Sequence, residues 1–344
     1  MAGLEPVYGR LVTTVIGSFP LPFSEANMGR VLADQVEAGV DYPCYGQLID
    51  MCRMFLEPLA VQGCGISMVN GTPWLTGDLT PPSKPVALEY LVFAKRWLKE
   101  YGFEDRVKGV KVPVTGPLTL ASVTKITDKH YAIEYPDIVE RFSMVVAEIV
   151  KQYDEAGADL ITVDEPTIPY AFHLGLDEDL LIKAVDKPIE AVRKAIPSLH
   201  CCGDVKGLSW FFLKLKAPIL SHAFKAYPKN LEAYSKTELE KADKMVGLGC
   251  IDTNPDPKLL LEVAKGKRNW LSVAEGVDEV EAFIHEGGKR FGYERLLIHP
   301  DCGFGGLKEY FNDDTGHRIA MEKLKRMVEA TKRVKGSFLQ PLKR

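Results

Sequence analysis

One repeated pattern constrains this chain more than any other: an amphipathic helix runs to a glycine, and a short apolar segment follows at once. In "MVVAEIVKQYDEAGADLITVDEP", residues 144–166, Gly157 fits a helix C-terminus and "LITV" a buried strand. The same order recurs in "VLADQVEAGVDYP", "LKEYGFEDRVKGVKVPVTGP", "KADKMVGLGCIDT" and "HEGGKRFGYERLLIHPDCG". Helices alternating with apolar strands call for a parallel sheet with helical crossovers. The strand candidates are "LVTTVIGS", "GISMVN", "GVKVPVTG", "DLITVDE", "SLHCCG", "PILSHAF", "MVGLGCID" and "LLIHPDC", eight in all and spread over the whole length. Eight such strands predict a (βα)8 TIM barrel, an α/β fold whose active site lies at the C-terminal ends of the strands. An open doubly wound sheet is the alternative, but no glycine-rich phosphate loop follows an early strand.

Polar side chains collect where those strands end: Ser18, Asn70, Thr115, Asp164, Glu165, His200, Cys202, Asp252, Asp301 and Cys302. A barrel would gather them at one mouth. No linker or repeat divides the chain, so residues 1–344 read as a single catalytic domain, with the proline-rich "TPWLTGDLTPPSKP" as an excursion at the mouth. The net charge of -4 comes from interspersed signs, which argues against a nucleic-acid partner. No run is long and apolar enough for a membrane span, and "MAGLEPVYGR" has no signal-peptide order, so a cytoplasmic protein is expected. Seven cysteines without a secretory signal point to metal binding, catalysis or burial, not to a disulfide framework.

In "SLHCCGD", residues 198–204, period-two alternation turns His200 and Cys202 to one face and Cys201 to the other. The pair reads either as core residues or as two ligands of one ion. Cys302, ending the last strand in "HPDCGFGG", adds a third donor, and one nitrogen with two sulfurs suits catalytic Zn(II) with an open position. "VDEP", residues 163–166, offers two carboxylates on opposite faces, of which only one can face the mouth, and a helix-capping role is the other reading.

Taken in order, "VTTVIGSFP", "VTGPLTLA", "ITVDEP", "LHCCGDV", "VGLGCIDT" and "HPDCG" resemble the catalytic barrel of the cobalamin-independent methionine synthase family, most closely its short, single-barrel archaeal-type members. The resemblance implies zinc-dependent methyl transfer to the thiol of L-homocysteine, giving L-methionine. It implies His200, Cys202 and Cys302 as the catalytic zinc ligands, Ser18 and the backbone after Ile16 at the substrate carboxylate, and Asp164 at its ammonium. Gln47, in "GVDYPCYGQLIDM", stands where the family has a substrate-binding glutamate.

Two departures shape the expectations. Asn254, in "CIDTNPDP", occupies the place of a proton-donating histidine, and no second barrel builds a folate cleft. The expected methyl donor is therefore methylcobalamin or a methylated corrinoid protein, with methyltetrahydrofolate disfavoured. Ala223, in "ILSHAFKAYPKN", stands where the family has a glutamate ligand, leaving either three protein ligands or a substitute role for the adjacent His222, whose natural direction is the other face. Rival readings are alkylation of another thiol, such as coenzyme M, and a non-catalytic barrel that binds a thiol or a corrinoid protein.

Overall fold

The structure, a computed structural model, describes residues 3–312 and 314–339. Its strands are β1 (Val12–Thr13), β2 (Ile66–Val69), β3 (Thr72–Leu75), β4 (Lys111–Thr115), β5 (Leu160–Asp164), β6 (Ile196–Cys201), β7 (Ile219–Ala223), β8 (Met245–Gly249) and β9 (Leu296–His299). Seven of them form a parallel sheet in the order β1-β9-β8-β7-β6-β5-β4. The remaining gap is bridged by residues 42–44, with Thr14 paired to Tyr42 and Cys44 to Lys111. Eight staves thus close a TIM barrel, as the alternation of helices and strands predicts.

One stave differs from expectation. "GISMVN" is not a barrel strand: β2 pairs antiparallel with β3, Val69 opposite Thr72. Asn70 and Gly71 form the connecting turn, both at positive φ (50° and 77°), and Asn-Gly is the pair that a type I′ hairpin turn favours. Asn70 therefore sits at a hairpin tip. The true second stave escapes the pattern because it is three residues long and holds Pro43. It is fastened by Tyr42 N–H to the Thr13 carbonyl and by Lys111 N–H to the Pro43 carbonyl, since proline can accept but cannot donate.

The helices follow their local signals. Ser24 caps the helix Glu25–Ala38 by accepting from the Asn27 N–H, and Gly39 ends it at φ 84°. Gly157, also at φ 84°, lies just past the helix Pro136–Glu155.

Alternation along the staves sorts the two faces. Outward residues such as Ile161, Val163, Leu199, Cys201, Leu220, Val246 and Ile298 join the main core beneath the helices. Inward residues form a second, smaller core at the barrel floor: Val12, Tyr42, Leu160, Ile196, Ile219, Met245 and Leu297, with Leu4 and Val7 packed against them. Two residues further along the staves the buried set turns polar, with Thr162, Ser198, Ser221 and His299. The interior thus passes from hydrocarbon at the floor to hydrogen-bonding groups at the mouth. Among the described residues no helix is long and apolar enough to cross a membrane.

Candidate metal centre and substrate cavity

β6 turns His200 inward, and Cys202 follows just past the strand's end, while Cys201 lies in the outer core. Cys302 comes three residues after β9. One ligand atom from each of His200, Cys202 and Cys302 lies within 4.8 Å of the others. His200 is buried, and its Nε2 has no hydrogen-bond partner among the described residues. Burial, with His299 and Lys111 adding to it, holds the imidazole pKa well below its ordinary value, so the ring is neutral and can ligate. The Cys302 thiol donates to Cys202; this draws the Cys202 pKa down, while the same bond and burial push Cys302 up. A neutral imidazole beside two cysteines suits zinc, and a buried nitrogen without a partner is what a ligand position looks like before the ion is counted.

These three residues line a cavity of about 310 Å3, together with Ile16, Ser18, Gln47 and Asp164. The seven residues that the resemblance assigns to the site therefore line one cavity. Asp164 is buried, its Oδ1 has no partner among the described residues, and burial pushes its pKa up to about 7 against the pull of Lys111. Glu165 faces the other way and caps the helix Pro117–Val123, accepting from the N–H groups of Leu118 and Thr119 (2.7 and 3.0 Å) and from the Thr119 hydroxyl (2.6 Å). Of the two carboxylates in "VDEP", Asp164 faces the cavity, and the capping role falls to Glu165, not to the aspartate.

The remaining strand-end residues serve the loops. Asp301 accepts from the N–H groups of Phe224, Lys225 and Ala226. The Thr115 hydroxyl donates to the Met51 carbonyl. Asp252 accepts from the N–H of Asn254, which is exposed and outside the cavity lining.

His222 is no fourth ligand. It points into the outer core, with Nδ1 2.9 Å from the Cys201 carbonyl and Nε2 2.9 Å from the Tyr234 hydroxyl, so both ring nitrogens are engaged. Ala223 faces inward like Ser221, one step beyond the Cys201–His222 pairing and hence beside Cys202.

Sequence reading missed Lys111. This lysine is 1% exposed inside the barrel, and its ammonium donates to the Ile16 carbonyl. Burial pulls its pKa down, while Asp164 is the charge that supports it most. A lysine within the buried run "GVKVPV" was the available signal, because an ammonium is rarely placed there without a partner.

Residues 23–333 match the family model described as "Cobalamin-independent synthase, Catalytic domain". The chain belongs to the cobalamin-independent methionine synthase family. It is a methyltransferase family that forms methionine. Methionine synthase from Methanothermobacter marburgensis is 29% identical over 344 aligned residues, covering 93% of this chain and 99% of that protein. Methionine synthase from Methanocaldococcus jannaschii is 25% identical, covering 94% and 100%. Among solved structures, a B12-independent methionine synthase from Shewanella sp. superposes with a TM-score of 0.68 at 18% identity, covering 96% of this chain and 99% of the other. At that identity the likeness speaks for the fold.

Membership of the cobalamin-independent synthase family corrects the donor expectation. A corrinoid donor, whether methylcobalamin or a corrinoid protein, conflicts with a family defined as cobalamin-independent. The argument from Asn254 fails for a physical reason as well. That side chain does not line the cavity, so its inability to donate a proton does not select the donor.

Proposed function

We propose that this methyltransferase moves a methyl group from a methyltetrahydrofolate-type amine to the thiol of L-homocysteine, with His200, Cys202 and Cys302 holding a zinc ion. The observation that carries this reading is the pairing of two buried atoms that have no partner among the described residues, His200 Nε2 and Asp164 Oδ1, on one cavity with two cysteines. One fits a metal and the other a substrate ammonium. Zinc bound there would keep a thiol ionised at neutral pH. Asp164 holds the ammonium and so aims the thiol end of the substrate at the cysteines. Lys111 fixes the Ile16 carbonyl and with it the loop through Ser18 that faces the substrate carboxylate. Gln47 Nε2 is buried without a partner among the described residues, which gives it a donor to offer that same carboxylate. In the net reaction the C–N bond of the donor breaks, a C–S bond forms, and the thiol proton ends on the donor nitrogen. Methionine formation with methyltetrahydrofolate as sole donor is the direct test; no methionine above a protein-free control would rule that donor out.

Asp164 makes the amino-acid end testable on its own. Its carboxylate must be ionised to hold an ammonium, and in the free protein its pKa is about 7. Below pH 7 a proton has to leave before the ligand seats, so affinity for methionine, which has no thiol to titrate, should fall about tenfold per pH unit and level off above pH 7. Asp164→Asn should weaken binding at pH 8 by about 1.5–3 kcal/mol and remove the dependence. Calorimetric titration from pH 5.5 to 8 measures both, and unchanged affinity in the variant would take Asp164 out of the site.

The three-donor metal site makes a second expectation. Ala223→Glu should bring a carboxylate beside Cys202 and raise zinc affinity on the order of tenfold or more, read by competition with a chromophoric chelator. An unchanged affinity would show that position 223 does not reach the ion.

A further inference from the structure

Behind His200 a hydrogen-bonded chain crosses the barrel interior from β6 through β7 to β9. His200 Nδ1 lies 2.9 Å from Ser221 Oγ, which lies 2.8 Å from His299 Nε2. At the far end His299 Nδ1 is 2.6 Å from the Pro300 carbonyl. All three side chains are at least 98% buried, so water does not share these bonds. Space for the chain is made by β8: a Cβ on Gly247 would lie 2.7 Å from His299 Nε2 and 2.7 Å from Ser221 Cβ, closer than atoms of a packed core approach.

The polarity of the chain follows from its end. A carbonyl can only accept, so His299 Nδ1, facing the Pro300 carbonyl, carries the hydrogen, and in the neutral ring its Nε2 keeps a lone pair. The Ser221 hydroxyl must then donate to His299, which leaves its own lone pair to accept from His200 Nδ1–H. His200 Nε2 is left with a lone pair, and this is the nitrogen that has no partner among the described residues. Free neutral imidazole favours the opposite tautomer, with the hydrogen on Nε2.

We propose that Ser221 and His299 are positioning residues that lock His200 in its Nδ1–H tautomer, anchored on the Pro300 carbonyl, so that Nε2 is permanently presented to the metal. The role toward zinc rests on the assignment of His200 as a ligand, whereas the tautomer does not. β7 brings an alanine, not a ligand, to the mouth at position 223, and supports the metal site from below through Ser221. Outer-shell partners of this kind orient a ligating histidine and raise its basicity.

The test uses the whole chain, metal-free, with 15N-labelled histidine. Long-range 1H–15N correlation spectra at pH 7.5, with the His200 signal assigned by its loss in His200→Gln, are expected to show Nδ1 protonated and Nε2 bare. Ser221→Ala should shift that signal toward the Nε2–H form, and Ser221→Thr, which keeps the hydroxyl, should retain the wild-type pattern. Zinc affinity by chelator competition should fall about 10–100-fold in Ser221→Ala and in His299→Phe and stay near wild type in Ser221→Thr. A wild-type spectrum with His200 protonated on Nε2 overturns the proposal, and it does so even where a variant fails to fold. Unchanged zinc affinity in Ser221→Ala overturns it too. Wild-type protein that takes up no zinc overturns the ligand assignment itself, while the metal-free spectrum still decides the tautomer.

Discussion

Cys302→Ser is expected to leave the barrel standing and abolish its chemistry. Cys302 is half-buried in the turn after β9 and adds little to the core, so the melting temperature should barely move. A serine hydroxyl does not ionise near neutral pH and is a harder, weaker ligand than a thiolate. Zinc affinity should fall on the order of a thousandfold, and methyl transfer to homocysteine should drop to background. Cys201→Ser is the control. Its side chain is fully buried in the outer core, so the change should lower stability and leave zinc stoichiometry intact. Elemental analysis of dialysed protein and initial rates measure both; a Cys302→Ser protein with full zinc and a rate within a few-fold of wild type would sink the ligand assignment.

The second large effect is expected away from the cavity. Glu165→Ala strips the buried N-terminus of the helix Pro117–Val123 of its acceptor and leaves the N–H groups of Leu118 and Thr119 unpaired. The cost should be about 3–5 kcal/mol, since each buried polar group left unsatisfied costs about 1–3 kcal/mol. Glu165→Gln should cost less than the alanine change, because its amide oxygen still accepts on one side while its NH2 meets a donor on the other. Burial pushes the Glu165 pKa from 4.5 up to about 8, against the donors that hold it, so near pH 7 the side chain is largely a neutral acid, which glutamine matches in charge. The raised value also fixes a sign. The stabilisation tied to the protonated group is complete below pH 4.5 and is lost as pH rises through 8, so wild type should lose stability relative to Glu165→Gln between pH 6 and 9. Urea unfolding midpoints at the two pH values test this, and parallel changes in both proteins would contradict it.

The barrel was legible in the sequence because its staves are apolar runs between helices whose ends carry glycine, and seven of the eight candidates hold. The eighth was misplaced by a single choice of period: Ile66–Val69 looks like a stave, yet the Asn70-Gly71 pair already marks a hairpin. Tyr42–Cys44 was hidden because three residues interrupted by Pro43 carry no period at all. Parity along β6 and β7 was readable, which is why His222 and Cys201 were expected on the outer face. Parity alone did not say which of Asp164 and Glu165 meets the cavity, because the strand ends between them and backbone beyond it need not alternate; the resemblance named Asp164. The chain from His200 through Ser221 to His299 was out of reach for another reason: Ser221 and His299 are 78 positions apart, and only barrel closure brings them within 2.8 Å. The donor expectation failed because it inferred a partner from features not found, the histidine replaced by Asn254 among them, and an absent group names no substrate.

The closing stave has a dynamic consequence. β4 with β5, and β7 with β8, are each aligned over five residue pairs, whereas residues 42–44 meet their neighbours through two isolated bridges. Ile16, Ser18 and Gln47 hang from this seam. His200 and Cys202 hang from the continuous ladder. Local opening costs least where few buried hydrogen bonds must break together. The two halves of one mouth are therefore expected to open separately: amides around the seam, held by short bridges and by the side chains of Gln35 and Asp41, should exchange faster than those of β6. On the proposed function, an amino acid would then enter and leave on the seam side while the opposite wall stays closed.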